Sequence, residues 1–375
     1  MANEDTSTNT REIVELTKDL IRFPSTRTRP EEVLNCARFI ENWFNRHDIP
    51  CRVIEHNGVP SVLALPRLER MPLLLMSHMD VVSASSQLFE PVEKGGKLYG
   101  RGAIDDKYAA ALSMVLLKNR IEKNRSLGIE DSQLVLGALI TGDEETGGYD
   151  GARYALGQIA CDFCIALDGG SVETVVIKEK GALRLKLVAE GKTAHGASPW
   201  LGINAIEKLM EDCRIVKGFF DGLSDPERWP DHWHRTMNLS IIRAGESVNQ
   251  VPDRAEAVFD IRYTENDDVD ELLGRIQAAI TGTATIEERE PLFVSPGSPY
   301  LDRLLELAPQ TRTGIAHGAS DARFLTQFDI PGIVWGAEGN SSQHSRDEHL
   351  EIESIGRLYE LLDRFVADLQ ERPIG

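Results

Sequence analysis

Apolar residues recur along this chain with two different periods, and the period changes partway through. Ile13, Leu16, Leu20 and Ile21 have helical spacing over residues 9–22, and Phe23-Pro24 ends that helix. A second amphipathic helix is predicted from about Pro30 to His47. Strands are predicted at about 51–55, 61–65 and 72–77, the last being the apolar run PLLLMS. A helix rich in Ala and Leu covers about 106–124, and strands follow at about 133–140 and 162–167. Such βα alternation predicts a mainly parallel sheet flanked by helices.

After about residue 175 the pattern turns to period two. ALRLKLVAE, TMNLSIIRA and AEAVFDIRY alternate apolar and polar residues, as half-exposed antiparallel strands do. Helices at about 203–219 and 267–280 and a strand near 283–289 complete a β-α-β-β-α-β order, the ferredoxin-like pattern. The tail returns to α/β style, with helices near 300–308, 320–328 and 353–370 and the strand IPGIVWG. The expected fold class is therefore α/β, with an inserted α+β ferredoxin-like domain. Residues 1–176 and 291–375 form the two parts of the sheet domain, and 177–290 the insertion. A length of 375 residues, more than one core usually organises, agrees with two domains.

Composition changes the picture in three places. Hydrophobic content of 41% and charged content of 27% are ordinary for a globular chain, and only MANEDTSTNT reads as disordered. A formal net charge of −19 repels phosphate backbones, which argues against nucleic acid as a partner. The apolar runs are too short to span a bilayer and no apolar leader follows a basic start, so the expected location is cytoplasmic, away from membranes. The five cysteines have no regular spacing, and CDFC, inside CDFCIALD, reads as a buried strand rather than half of a thiolate metal site.

The candidate chemistry lies just past the predicted strands, where open α/β sheets bind ligands. His78 and Asp80 follow PLLLM, Asp143, Glu144 and Glu145 follow QLVLGALIT, and Asp168 follows FCIAL. His344 lies beyond IPGIVWG, and Asp105 opens the helix that begins near Asp106. Each has a bland alternative: a structural His, an Asp that only caps a helix, a solvated acidic loop. Together they place up to six carboxylates at one end of one sheet. Two carboxylates about 4 Å apart repel by about 4 kcal/mol at an effective dielectric of 20, and divalent cations remove that conflict. Two His among carboxylates suit zinc better than calcium or magnesium.

The segments SHMD, GRGAIDDK, TGDEETGG, ALDGG, GKTAHGASPWLGINAI and NSSQHSRDEH follow one another in order. This series resembles the co-catalytic dinuclear zinc exopeptidase and amidohydrolase family, which includes carboxypeptidase G, acetylornithine deacetylase, succinyl-diaminopimelate desuccinylase and dipeptidase relatives. The resemblance runs from about residue 10 to 370. It implies two zinc ions per chain, with cobalt or manganese as substitutes. His78 and Asp168 would hold one, Glu145 and His344 the other, and Asp105 would bridge them. It implies Glu144 as general base, with Glu145 turned away because neighbours in an extended loop face opposite ways. Asp80 would orient His78 by a hydrogen bond. His195, in the insertion, would stabilise an oxyanion and can serve a neighbouring subunit's site. The insertion would be a lid and a homodimer surface. Asn249, Arg262, Arg323 and Gly318 match positions near the substrate.

Two departures stand out: Tyr108 follows Lys107 where the family often has Gly, and Asp168 stands where desuccinylases and acetylornithine deacetylases commonly carry Glu. The second shifts the expected activity toward a dipeptidase-like metallopeptidase acting on a small carboxylate-bearing substrate, with N-acyl amino acid deacylation as the alternative. His317, His349 and the RWPDHWH segment with Trp229, His232, Trp233 and His234 have no role in this reading. A dinucleotide enzyme fails because GRGAID lacks a third glycine, and a serine hydrolase because no G-x-S-x-G occurs. An inactive homologue used for binding is the non-enzyme alternative.

Overall fold

The computed structural model describes residues 2–66, 70–223, 227 and 231–374, so Trp229 lies outside the described residues. The chain divides into two compact units. One comprises Met1–Lys178, Ser295–Ile315 and Ser320–Gly375; the other comprises Glu179–Val294 with Ala316–Ala319. The short 316–319 piece therefore groups with the insertion, although its sequence surroundings are those of the α/β tail.

The first unit is built on a nine-stranded sheet. Its centre is parallel: Leu136–Thr141, Met71–His78, Cys161–Ala166 and Gly332–Val334 lie side by side. The flanks are antiparallel, with Arg52–His56 and Val59–Ala64 on one side and Thr174–Glu179 on the other. Every residue of Leu136–Thr141 is buried, which is why these strands read as continuous apolar runs. Ile13, Ile40, Leu112 and Leu362, from four helices, share one core with Leu73, Leu75 and Ile140 from the sheet. Both members of CDFC are buried free thiols, and burial pushes Cys161 up to about 12, so neither thiol is poised to ionise.

Two features differ from the sequence reading. The polar start is not disordered: a helix runs over Ala2–Ile21. Thr6 donates to Glu360 at 2.6 Å, and a Cβ at Gly356 would touch the Thr10 hydroxyl, so tertiary contact with the last helix holds a segment of weak apolar pattern. A ribbon of Val92–Lys94, Lys97–Tyr99 and His349–Glu351 also forms. Strands of three residues are too short to show a period.

The second unit is a four-stranded antiparallel sheet in the order Thr236–Ala244, Arg254–Tyr263, Gly181–Glu190, Thr283–Glu290. Gly181–Glu190 alternates buried and less buried residues, and Leu183, Leu185 and Leu187 meet Leu209 and Val216 of the helix Ala205–Gly218 and Ile276 of Val269–Ala279. Asn204 and Asp268 cap the two helices with side-chain oxygens that accept from Ile206 and Glu271 amides. Among the described residues no helix is long and apolar enough to cross a membrane.

Candidate metal centre

Parallel pairing brings the carboxyl ends of neighbouring strands together, and with them the acidic and histidine residues of the first unit. His78 ends its strand, and Asp168 follows Cys161–Ala166 by two residues. Glu144 and Glu145 occupy a one-turn 3-10 helix after Leu136–Thr141. Their side chains diverge because that helix turns by a third of a revolution per residue, not because the loop is extended. Asp105 immediately precedes Asp106, the residue that borders the helix Lys107–Ser126, and the peptide bond between the two acids is cis. Asp105 is thus not the helix cap.

Its carboxylate instead faces both histidines. Oδ1 is 2.9 Å from His78 Nε2 and Oδ2 is 3.1 Å from His344 Nε2. Glu145 Oε1 lies 3.1 Å from the same His344 nitrogen, and Asp168 Oδ1 3.9 Å from His78 Nε2. Two groups of potential ligands result, His78 with Glu144 and Asp168, and Asp105 with Glu145 and His344, each with its ligand atoms within 4.8 Å.

The electrostatics show how strongly these groups compete for protons. Burial pushes Asp168 well above the carboxylate range, and nearby Asp105 and Glu144 add to it. Burial does the same to Glu144, against the opposing pull of His78 and Arg323. Burial disfavours a charged His78, yet bonds to Asp105 and Asp80 carry its pKa well above the usual value. His344 rises to about 10 through its bonds to Asp105 and Glu145. Crowded carboxylates raise both imidazoles and one another, a conflict that divalent cations relieve while leaving the imidazole nitrogens free to act as ligands. Oxygen and imidazole donors in two adjoining groups, one carboxylate facing both, fit a pair of zinc-like ions.

Surrounding groups hold these side chains in place. The Asp80 carbonyl lies 3.0 Å from His78 Nδ1, which directs Nε2 at Asp105. The Asp80 carboxylate is 3.5 Å from that nitrogen, and its two oxygens accept the Glu144 and Glu145 amides at 3.1 Å each. Asp80 thus orients the acidic turn as well as the imidazole. The loop carrying His344 is tied down by Arg101, which pairs with buried Glu348 and donates to the His344 carbonyl at 3.1 Å. His349 belongs to the same support, its amide donating to Ser342 Oγ at 3.0 Å. Tyr108 fills the space beneath Asp168: its hydroxyl donates to the Leu167 carbonyl at 3.0 Å and accepts from the Ala337 amide at 2.9 Å. Sequence reasoning missed Arg101 and Glu348; opposite charges in two motifs were the available signal.

The predicted substrate residues fare differently. Arg323 is only 2% exposed, with Nη1 3.1 Å from the Ser320 carbonyl and 3.5 Å from Glu144 Oε1. It faces Glu144 and not solvent. His195, Asn249, Arg262 and Gly318 belong to the second unit. His195 pairs across a two-residue ribbon with Gln250, beside Asn249, and its Nδ1 accepts the Ala197 amide at 3.1 Å. That bond leaves the proton on Nε2, a donor. Arg262 is held bidentately by Asp260 at 2.7 and 3.0 Å. Gly318 is exposed, and a Cβ there would meet open space.

Comparison with known proteins identifies the family. Residues 74–368 match the model of peptidase family M20/M25/M40. Succinyl-diaminopimelate desuccinylases of a Nitratiruptor species and of Stenotrophomonas maltophilia are 26% and 27% identical, covering 93% and 95% of this chain and 97% and 99% of theirs. Among solved structures, a tripeptidase of Staphylococcus aureus superposes with a TM-score of 0.78 at 20% identity over 97% of this chain and 99% of its own. A metallo-carboxypeptidase of Sulfolobus solfataricus gives 0.75 at 19% over 95% and 98%. The chain belongs to peptidase family M20/M25/M40 and is a metal-dependent hydrolase of amide bonds.

Proposed function

We propose that the chain hydrolyses the peptide bond of a short, carboxylate-bearing peptide at a two-zinc centre. His78 and Asp168 would hold one ion and Glu145 and His344 the other, with Asp105 available to both. The observation that carries the reading is the Asp105 carboxylate with one oxygen toward each histidine. Bound zinc supplies Lewis acidity and makes water acidic enough to attack near neutral pH. Glu144 takes the proton of the attacking water and delivers it to the leaving amine, while Arg323 holds the Glu144 carboxylate in place. The Nε2 proton of His195 stabilises the developing oxyanion. Asn249, Arg262 and Gly318 contact the substrate; Arg262 must exchange Asp260 for a substrate carboxylate to do so.

N-acyl amino acid deacylation is the second reading, supported by the similarity to desuccinylases over nearly the full chain. Asp168 in place of a longer Glu supports the peptidase reading. A panel of dipeptides against N-succinyl and N-acetyl amino acids, scored by kcat/KM, separates them; preference for the acylated compounds overturns the first. Metal analysis should find two zinc per chain, and equal activity of chelated and loaded protein removes the metal mechanism.

The second unit is the lid and homodimer surface in this reading. Thr236–Ala244 is a sheet edge carrying exposed Leu239, Ile241 and Ile242, a template for pairing with another copy. Sedimentation of the wild type against Ile242→Lys tests it, with a monomeric wild type as the refuting result. Five free thiols suit the cytoplasm.

A further inference from the structure

Three segments far apart in sequence meet within the second unit, and none has a part in the hydrolysis proposed above. Lys180 is 1% exposed, and its ammonium donates to the carbonyls of His232 at 2.8 Å and His234 at 2.7 Å. The Trp233 ring lies 5.8 Å from Lys180 Nζ and 6.3 Å from the His317 ring. His232 and His317 are exposed.

This corner has an uncompensated positive character in a chain of net charge −19. An ammonium has three N–H donors, and two are used; among the described residues the third has no partner and no carboxylate pairs with Lys180. Asp267, the acid whose charge acts on Lys180, and two acids of the same unit have partners of their own. Asp267 pairs with Arg235 at 2.8 Å and accepts from Thr264, Glu265 accepts from the Trp233 indole at 3.1 Å, and Asp260 holds Arg262. Burial lowers the Lys180 pKa, with Asp267 opposing and Arg262 reinforcing. Burial also lowers His317, and the charges of Lys180, His232 and His234 reinforce that. A buried cation without a counter-charge is costly, and an incoming anion relieves it.

We propose that Lys180, His232, His317 and the Trp233 face form a binding site for the carboxylate of a small organic acid. The carboxylate accepts the remaining Lys180 N–H and the imidazole protons, and the body of the acid lies against the indole. One or two negative charges match one ammonium and two weakly basic imidazoles, whereas a larger polyanion meets the repulsion of the whole chain. The site deepens the reading of a carboxylate-bearing substrate if the acid is the substrate itself, but binding does not depend on that reading.

The test follows the His317 C2–H resonance of the zinc-loaded protein while acetate, succinate or acetamide is added against chloride at matched ionic strength. Saturable shifts with the two carboxylates, an upward move of the His317 titration, and none with acetamide are expected. Lys180→Met should weaken acetate binding about ten- to a hundredfold, the worth of one charge-assisted hydrogen bond. Should that variant misfold, Trp233→Ala, followed at the same resonance, replaces it and should weaken succinate more than acetate. Absence of a saturable shift in the wild type, or equal response to acetamide, overturns the site. Kinetics then identify the ligand. A KM raised by His317→Ala for a carboxylate substrate but not for its methyl ester makes the ligand the substrate's own group; unchanged KM with lost acetate binding makes it a separate acid.

Discussion

The two units hold their polar residues in opposite ways. In the first, His78, Asp80, Asp105 and Asp168 are built on the ends of buried parallel strands and the loops beside them, and each is restrained by at least one other site residue. In the second, His195 and Arg262 sit on antiparallel strands and Asn249 in a turn beside one, and among the described residues their side chains hydrogen-bond to near neighbours: Ala197, Ser247 and Asp260. A mutually restrained cluster fixes distances between charges, as metal binding requires. Residues restrained one at a time can exchange a local partner for a ligand. This contrast suits the proposed division, with the chemistry in the first unit and recognition and oxyanion support in the second.

The sharpest way to break that division is to change one atom type in each unit. Glu144→Gln keeps shape and leaves His78, Asp105, Glu145, Asp168 and His344 in place, so two zinc ions should remain while kcat falls about a hundred- to ten-thousandfold, the usual worth of a positioned base. Near-normal turnover would remove Glu144 as the base. His195→Ala should leave metal content untouched and lower kcat about a hundred- to a thousandfold, as loss of an oxyanion donor does. If His195→Ala also loses zinc, the division between units is wrong. Mixing the two inactive proteins asks where His195 acts: recovered activity in mixed dimers places it in the neighbouring subunit's site, and none, with mixed dimers demonstrated, places it in its own.

A smaller effect reads the charge balance of the first unit directly. In the metal-free fold His344 titrates at about 10 against an ordinary 6.5, held by Asp105 and Glu145. A pKa raised by folding adds stability that is fully present below the unfolded value and disappears as pH rises through the folded one. The Tm of chelated protein should therefore decline between pH 6.5 and 10 more steeply than that of chelated His344→Gln. The slope is modest because His344 is half exposed and its pairing is screened. Zinc-loaded protein, with its imidazoles neutral, should lack this component, and an equal slope in chelated and loaded protein contradicts the assignment.

Much of this was legible in the sequence because the relevant signals are local. PLLLMS and CDFCIAL announce buried strands, and a His or Asp just beyond each is visible without coordinates. The antiparallel second unit showed itself by strict alternation in AEAVFDIRY. What stayed hidden depends on partners far along the chain. The helical state of residues 2–10 follows from contact with Gly356 and Glu360. The burial of Arg323 against Glu144 follows from how an eight-residue 3-10 segment, Asp321–Phe328, meets the acidic turn, and no spacing rule encodes that. Arg101 and Glu348 stand in two motifs far apart in sequence, and the fold joins them.

Tyr108 shows most clearly how a visible departure acquires a physical meaning. In sequence it is only a bulky residue where relatives often have glycine. In the structure its ring is fully buried and its hydroxyl ties the helix after Asp105 to Leu167, the residue before Asp168, and to Ala337 beyond the next strand. A Cβ at Gly336 would crowd that hydroxyl, so glycine there makes room for it. Tyr108→Phe keeps the ring and strands a buried carbonyl and amide, which should cost about 1–3 kcal/mol of stability, read as a lower denaturant midpoint. Asp105 and Asp168 lie on the two elements the hydroxyl joins, so zinc affinity should fall as well, by up to about tenfold, the lower end for groups that orient metal ligands. Lost stability with unchanged zinc affinity would make Tyr108 a packing residue alone. Loss of both makes it the strut that sets the spacing of two carboxylates, and places part of the metal site's rigidity in a residue that touches no metal.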